Sequence, residues 1–185
     1  MALVSAHRGG AGDDHSLENT LAAYEAAIEM GCDFVEFDVR LTADGRPVLF
    51  HDDRLEREGR HRSIAHQRFD DIAGDLVELD AVLELIAGRV GAHVDLKVRG
   101  SETDIVASVI GALGVGNVII TTAEDSSVRT IQRWARQHAP GLLVGLSSAA
   151  RSHGSGLVPR WKAQIASCFP RLRIWLRGAN LVVSH

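Results

Sequence analysis

The 185-residue sequence predicts an α/β chain, built from repeated βα units around a parallel sheet. Three observations predict it. Short β-rich runs alternate with runs of helical periodicity, turn-forming residues separate them, and polar side chains gather where the strands should end. The chain is 45% hydrophobic and 24% charged with a formal charge of −4, which fits one soluble globular domain over residues 1–185 with a sizeable core.

The first strand is read at Leu3–Ala6 and runs into His7-Arg-Gly-Gly10. Asn19 can cap a helix over Thr20–Met30, in which Leu21, Tyr24 and Ile28 share a face and Gly31 ends the run. Asp33–Val39 alternates as a second strand, with Phe34, Glu36 and Asp38 on one face and Val35, Phe37 and Val39 on the other. An Asp44-Gly45 turn leads into a strand-like Pro47–Phe50. Residues 52–75, rich in arginine, read as a small irregular insertion. A helix over Asp80–Ile86, a strand at His93–Val98, a helix over Glu102–Leu113 and a strand at Asn117–Thr121 follow. A helix over Ser126–His138 is capped by Asp125 or Ser126, and Leu142–Leu146 is a further strand. The remainder reads as a loop at Ala149–Ser155, a helix over Trp161–Leu176 broken or kinked at Pro170, and a strand at Asn180–Ser184.

Composition excludes some classes of function. A pI near 6.1 lacks the basic footprint that nucleic acid requires, so no nucleic-acid partner is expected. Cys32 and Cys168 have no metal-ligand spacing and read as reduced thiols. No secretory leader is read at the start, and no apolar run approaches the roughly 20 residues of a transmembrane helix, which makes cytoplasmic the default expectation.

The chemistry concentrates at four strand ends, which carry His7 and Arg8, Glu36 and Asp38, His51 and Asp52, and Asp95 and Lys97. In a βα barrel or an open α/β sheet, the carboxyl ends of parallel strands meet at one rim. Glu36 and Asp38, two residues apart, leave the same strand face. Two such anions facing inward would repel, and a divalent cation resolves the conflict. Asp95 adds a third oxygen donor, and a set of three carboxylates suits hard Ca²⁺ or Mg²⁺ better than Zn²⁺. Lys97, two residues on, offers the alternative of neutralising Asp95 directly. A two-residue Asp44-Gly45 hairpin would set Ala43 opposite Arg46 and, further along, Asp38 opposite His51.

His7-Arg-Gly-Gly10, Glu18-Asn-Thr20, Glu36-Phe-Asp38-Val39, Thr42-Ala-Asp-Gly45, Val48-Leu-Phe-His-Asp52 and Asp95-Leu-Lys97 together resemble the glycerophosphodiester phosphodiesterase family. The resemblance implies a TIM-barrel-like parallel (β/α) barrel with an insertion near residues 52–75. It implies hydrolysis of a small-molecule glycerophosphodiester to glycerol 3-phosphate and an alcohol. It further implies that Glu36, Asp38 and Asp95 hold one divalent cation, that His7 and His51 act as acid and base, and that Arg8 and Lys97 bind phosphate. Two departures stand out. Asp95 replaces the family's usual Glu, and the family's last strands, reading like Trp-Thr-Val-Asn and Thr-Asp, are not found before His185. A barrel incomplete at that end would leave sheet edges open to a second copy of the chain. The related sphingomyelinase D-like phospholipases share the Asp but lack the Glu-Asn-Thr and Thr-x-Asp-Gly features. A non-catalytic phosphodiester-binding module is the other alternative.

Overall fold

A computed structural model of the chain describes residues 3–10, 12, 14–148 and 181–184. Alternation along the second predicted strand sets the architecture. Val35, Phe37 and Val39 are fully buried on one face of β2 (Phe34–Leu41), while Glu36 and Asp38 are buried on the other. The apolar face meets the helices and the polar face carries the candidate chemistry.

Six strands pair in parallel, in the order β1 (Ser5–Ala6), β2, β7 (Gly91–Leu96), β8 (Val118–Thr122), β9 (Leu143–Ser148) and β10 (Leu181–Ser184). The helices α1 (Leu21–Glu29), α3 (Leu79–Ile86), α4 (Glu102–Leu113) and α5 (Asp125–His138) supply the crossovers. Tyr24, Val82, Ile86, Val106, Val128 and Ile131 from these helices form one core with Val35, Phe37, Val94, Ile120 and Val144 from the sheet. Each such side chain contributes about 1.5–3 kcal/mol through burial. Among the described residues the predicted elements thus occur in order, with ends shifted by a residue or two. The sheet does not close on itself among the described residues. The predicted loop at Ala149–Ser155, the helix over Trp161–Leu176, Cys168 and His185 lie outside the described residues, while Cys32 is a half-buried free thiol. No described helix is long and apolar enough to cross a membrane.

Two helix caps change, and at one of them α5 starts at Asp125 behind Glu124, with no capping side chain from Asp125 or Ser126. Thr20, not Asn19, caps α1, its Oγ1 accepting from Ala23 N at 3.2 Å. Asn19 instead sits at φ 56° and turns its amide into the protein. The strand after the turn, β3 (Pro47–Leu49), is antiparallel to β2 and pairs on its other edge with β6 (Val77–Glu78), so it lies beside the parallel sheet as an excursion.

The insertion is more regular than expected. β4 (Arg54–Arg57) and β5 (Arg60–Ser63) form an antiparallel hairpin around Glu58 and Gly59, both at positive φ, followed by the short helix α2 (Phe69–Ile72). Leu55, Ile64, Ile72 and Leu76 give it a small core of its own against Val48. Its strands carry few apolar residues, so the alternation that marks β2 is nearly silent there.

Candidate active site

Strand register brings the acidic residues together. Asp38 of β2 pairs with Asp95 of β7, and Glu36 lies one step earlier on the same face. Glu36, Asp38 and Asp95 are at most 2% exposed. One carboxylate oxygen from each lies within 4.8 Å of the others. Lys97 Nζ bridges two of them, 3.2 Å from Asp38 Oδ1 and 2.5 Å from Asp95 Oδ2. Direct neutralisation by Lys97 is therefore realised, yet it leaves Glu36 uncompensated. Burial, then the Asp38 carboxylate, pushes the Glu36 carboxyl up to about 8, against a usual 4.5. Its Oε2 accepts from Arg8 N at 2.8 Å, while Oε1 is buried without a hydrogen-bond partner. A buried orphan oxygen beside two more carboxylates is the donor set that a hard divalent cation satisfies. For Lys97, burial alone would lower the ammonium's pKa, but Asp95 and Asp38 overcome it and hold the group above its usual value.

The turn after β1 presents the cations. Arg8 stands in the left-handed region at φ 49°, an unusual conformation for arginine and one that clusters at functional sites. Gly9 follows at φ 84°, and a Cβ there would lie 2.8 Å from the Ala23 Cβ, so only glycine lets this turn sit on α1. From that turn Arg8 Nη1 donates to Glu18 Oε2 at 2.7 Å, and Nε lies 3.3 Å from Asp38 Oδ2. His7 Nε2 lies 3.9 Å from Glu36 Oε2, with its side chain 45% exposed at the mouth.

His51 arrives differently from the expected route. The hairpin turns through three residues, Thr42 facing Arg46 with Gly45 at φ 77°, which slips the register by one. Asp38 O accordingly accepts from Phe50 N at 3.0 Å, and Asp38 does not oppose His51. The slip follows from Thr42, whose Oγ1 accepts from Arg46 N and donates to Asp44 Oδ1, closing a longer loop than Asp-Gly alone would. His51 nonetheless lines a recess of about 240 Å³ with Arg8, Glu18 and Asn19. Its backbone carbonyl is held by Arg40, at 2.6 Å from Nη2, and its Nδ1 lies 2.8 Å from Asp52 Oδ1.

Several residues around the site are given no role there by the sequence reading. Asn19 Oδ1 accepts from Tyr24 Oη at 2.9 Å and from Asp38 N at 3.3 Å, fixing the strand where Asp38 leaves it. Its signal was Glu18-Asn-Thr20, which has no chemistry at that spacing until the fold places it. Thr121, Ser147 and His93 lie on the same polar face around Asp95. They resemble ordinary strand residues in sequence and leave no signal.

Residues 7–130 match the glycerophosphoryl diester phosphodiesterase family. The chain belongs to that family. A glycerophosphodiester phosphodiesterase from Caldanaerobacter subterraneus is 47% identical over 182 residues, covering 86% of this chain and 70% of that protein. A glycerophosphodiester phosphodiesterase from Bacillus altitudinis is 30% identical over 116 residues, covering 55% of this chain and 46% of that protein. The Bacillus subtilis protein YhdW is 31% identical over 149 residues. The match spans 60% of the length of YhdW, so this chain is short beside such relatives. The solved glycerophosphodiester phosphodiesterase of Agrobacterium tumefaciens superposes over 100% of this chain and 76% of its own, at a TM-score of 0.72 and 24% identity. An Oleispira antarctica phosphodiesterase, solved in complex with the product sn-glycerol-3-phosphate, superposes over 100% of this chain and 84% of its own at 0.64 and 21% identity. These likenesses establish the TIM-barrel fold of the family, and its barrel rim is where strand-end residues of β1, β2 and β7 converge here.

Proposed function

We propose that this chain hydrolyses glycerophosphodiesters to glycerol 3-phosphate and an alcohol with the aid of one divalent cation, Ca²⁺ or Mg²⁺. One observation carries the reading: three buried carboxylates within 4.8 Å of each other, one with an unpartnered oxygen, flanked by a guanidinium and an ammonium. Glu36, Asp38 and Asp95 would hold the cation, which supplies polarisation of a phosphoryl oxygen and of an attacking hydroxyl. The names of the Caldanaerobacter and Bacillus altitudinis relatives and the product bound to the Oleispira protein support the substrate class.

The chain's own side chains divide the remaining work. Arg8 offers a planar fork of donors to phosphate oxygens and Lys97 a point charge. One imidazole of the pair His7 and His51 accepts the proton of the attacking hydroxyl. The other returns a proton to the leaving alkoxide oxygen as its bond to phosphorus breaks. Both rings are exposed enough to reach a substrate, at 45% and 40%, while the carboxylates behind them are shielded from water. That shielding strengthens charge interactions at the phosphate.

The test is turnover of glycerophosphocholine with Ca²⁺ or Mg²⁺. Release of glycerol 3-phosphate that stops on chelation is expected. Binding of the substrate without product would make the chain a phosphodiester-binding module. Choline released from a choline lipid but not from glycerophosphocholine, with a linear or cyclic phosphate left on the lipid, would place it with the sphingomyelinase D-like enzymes instead.

A further inference from the structure

A run of polar side chains crosses the sheet behind the carboxylates, and neither the proton transfers nor the phosphate contacts use it. His93, 4% exposed, precedes Asp95 by two residues and pairs in register with Glu36. Ser5 Oγ lies 3.2 Å from His93 Nδ1, and His93 Nε2 lies 3.1 Å from Thr121 Oγ1. Thr121 Oγ1 in turn donates to Asp95 Oδ1 at 3.2 Å, and Ser147 Oγ donates to the same oxygen at 3.0 Å. Four strands, β1, β7, β8 and β9, thus contribute to holding one carboxylate oxygen.

Donor and acceptor counting fixes the direction of the chain. A threonine hydroxyl has a single proton, and toward the Asp95 carboxylate, whose other oxygen faces Lys97, it must donate. Its lone pairs then face His93, so Nε2 carries the hydrogen of the imidazole. Ser5 Oγ faces the other ring nitrogen, Nδ1. The two links nearest the carboxylate run one way: His93 to Thr121, Thr121 to Asp95.

We propose that Thr121 and His93 are positioning residues that aim the Asp95 carboxylate at a divalent cation. The proposal rests on the reading of Asp95 as a cation ligand. An aspartate carboxylate sits close to its own strand, so the side chains around it set its aim. With Oδ1 gripped by two hydroxyls, the orientation of Oδ2 toward Lys97 is fixed. Loss of such a partner behind a ligand typically weakens metal binding about 10–100-fold.

Calorimetric titration of the metal-free protein with Ca²⁺ or Mg²⁺ alone tests this without recourse to turnover. Thr121→Val, close in shape but lacking the hydroxyl, is expected to raise the dissociation constant about 10–100-fold. Thr121→Ser should restore most of the affinity. His93→Phe should weaken binding in the wild-type background but add nothing to Thr121→Val, because it acts through the same hydroxyl. His93→Gln, whose amide can still donate, should stay near the wild type and keeps the test open if the valine variant does not fold. An unchanged constant for Thr121→Val or His93→Phe, or additive losses in the double variant, overturns the proposal. A wild-type protein that binds neither ion overturns the cation reading of the site, and this inference with it. Wild-type binding with indifferent variants overturns this inference alone.

Discussion

Glu36 concentrates the electrostatic conflict of the site, because Arg8 and Lys97 supply two positive charges against three carboxylates. With its pKa raised by burial and by Asp38, the folded chain holds that proton up to about pH 8, whereas the unfolded chain releases it near 4.5. Between those values the unfolded state binds fewer protons, so stability of the metal-free protein should fall as pH rises, by on the order of a few kcal/mol. Melting temperatures across that range in a chelating buffer check the sign, and stability that rises with pH would contradict it. At the same scale, His7→Ala and His51→Ala should each lower kcat by about 10²–10⁴-fold while leaving Ca²⁺ affinity close to wild type. An equal loss of cation binding would make the histidine a ligand. Arg8→Lys, which gives up the fork, should raise KM for glycerophosphocholine about tenfold, the equivalent of one charged hydrogen bond.

At the scale of elements, two turns carry the site. The His7-to-Gly10 turn aims Arg8 N at Glu36 by placing Arg8 and Gly9 at positive φ, against the first turns of α1. Gly9→Ala should cost about 1–3 kcal/mol through the close approach to Ala23 and the strained backbone, read as a drop in melting temperature of about 2–4 °C per kcal/mol. A wild-type melting temperature would show that α1 can yield. The Thr42-to-Arg46 turn shows how a motif can be visible and its consequence misread. Asp44-Gly45 marked the hairpin, but the Thr42 hydroxyl, by accepting from Arg46 N, chose a three-residue loop, and one residue of slip exchanges the partner of Asp38. The β4–β5 hairpin went unread because its alternating positions are mostly charged, and only Leu55 among its strand residues is buried.

At the scale of the whole molecule, a cation that binds only the folded chain adds stability by mass action, about 2.7 kcal/mol at a hundredfold excess over its dissociation constant. Ca²⁺ or Mg²⁺ should therefore raise the melting temperature at neutral pH, and a chelator should reverse it. No shift at millimolar ion would count against the site. The parallel order of strands, with β3 and β6 antiparallel beside it, leaves the rim shared between the sheet and the 52–75 insertion. The insertion reaches that rim near Lys97, where Ser63, Ile64 and Arg40 line a second recess of about 270 Å³.

The sequence by itself determined the βα order, the two-residue spacing that puts Glu36 and Asp38 on one face, and the strand ends that bear His7, Arg8, Asp95 and Lys97. These are local matters, set by backbone period and turn chemistry within about ten residues. Only the tertiary structure decided the rest. It set Asp38 beside Asp95 across 56 intervening positions through strand register, as the pairing of β2 with β7 shows. It turned Asn19 from a helix cap into a support for Asp38, and recruited Ser5, His93, Thr121 and Ser147 around Asp95. Hydrogen-bond partners of that kind depend on which strands become neighbours, and neighbours are chosen by the packing of the whole sheet against its helices.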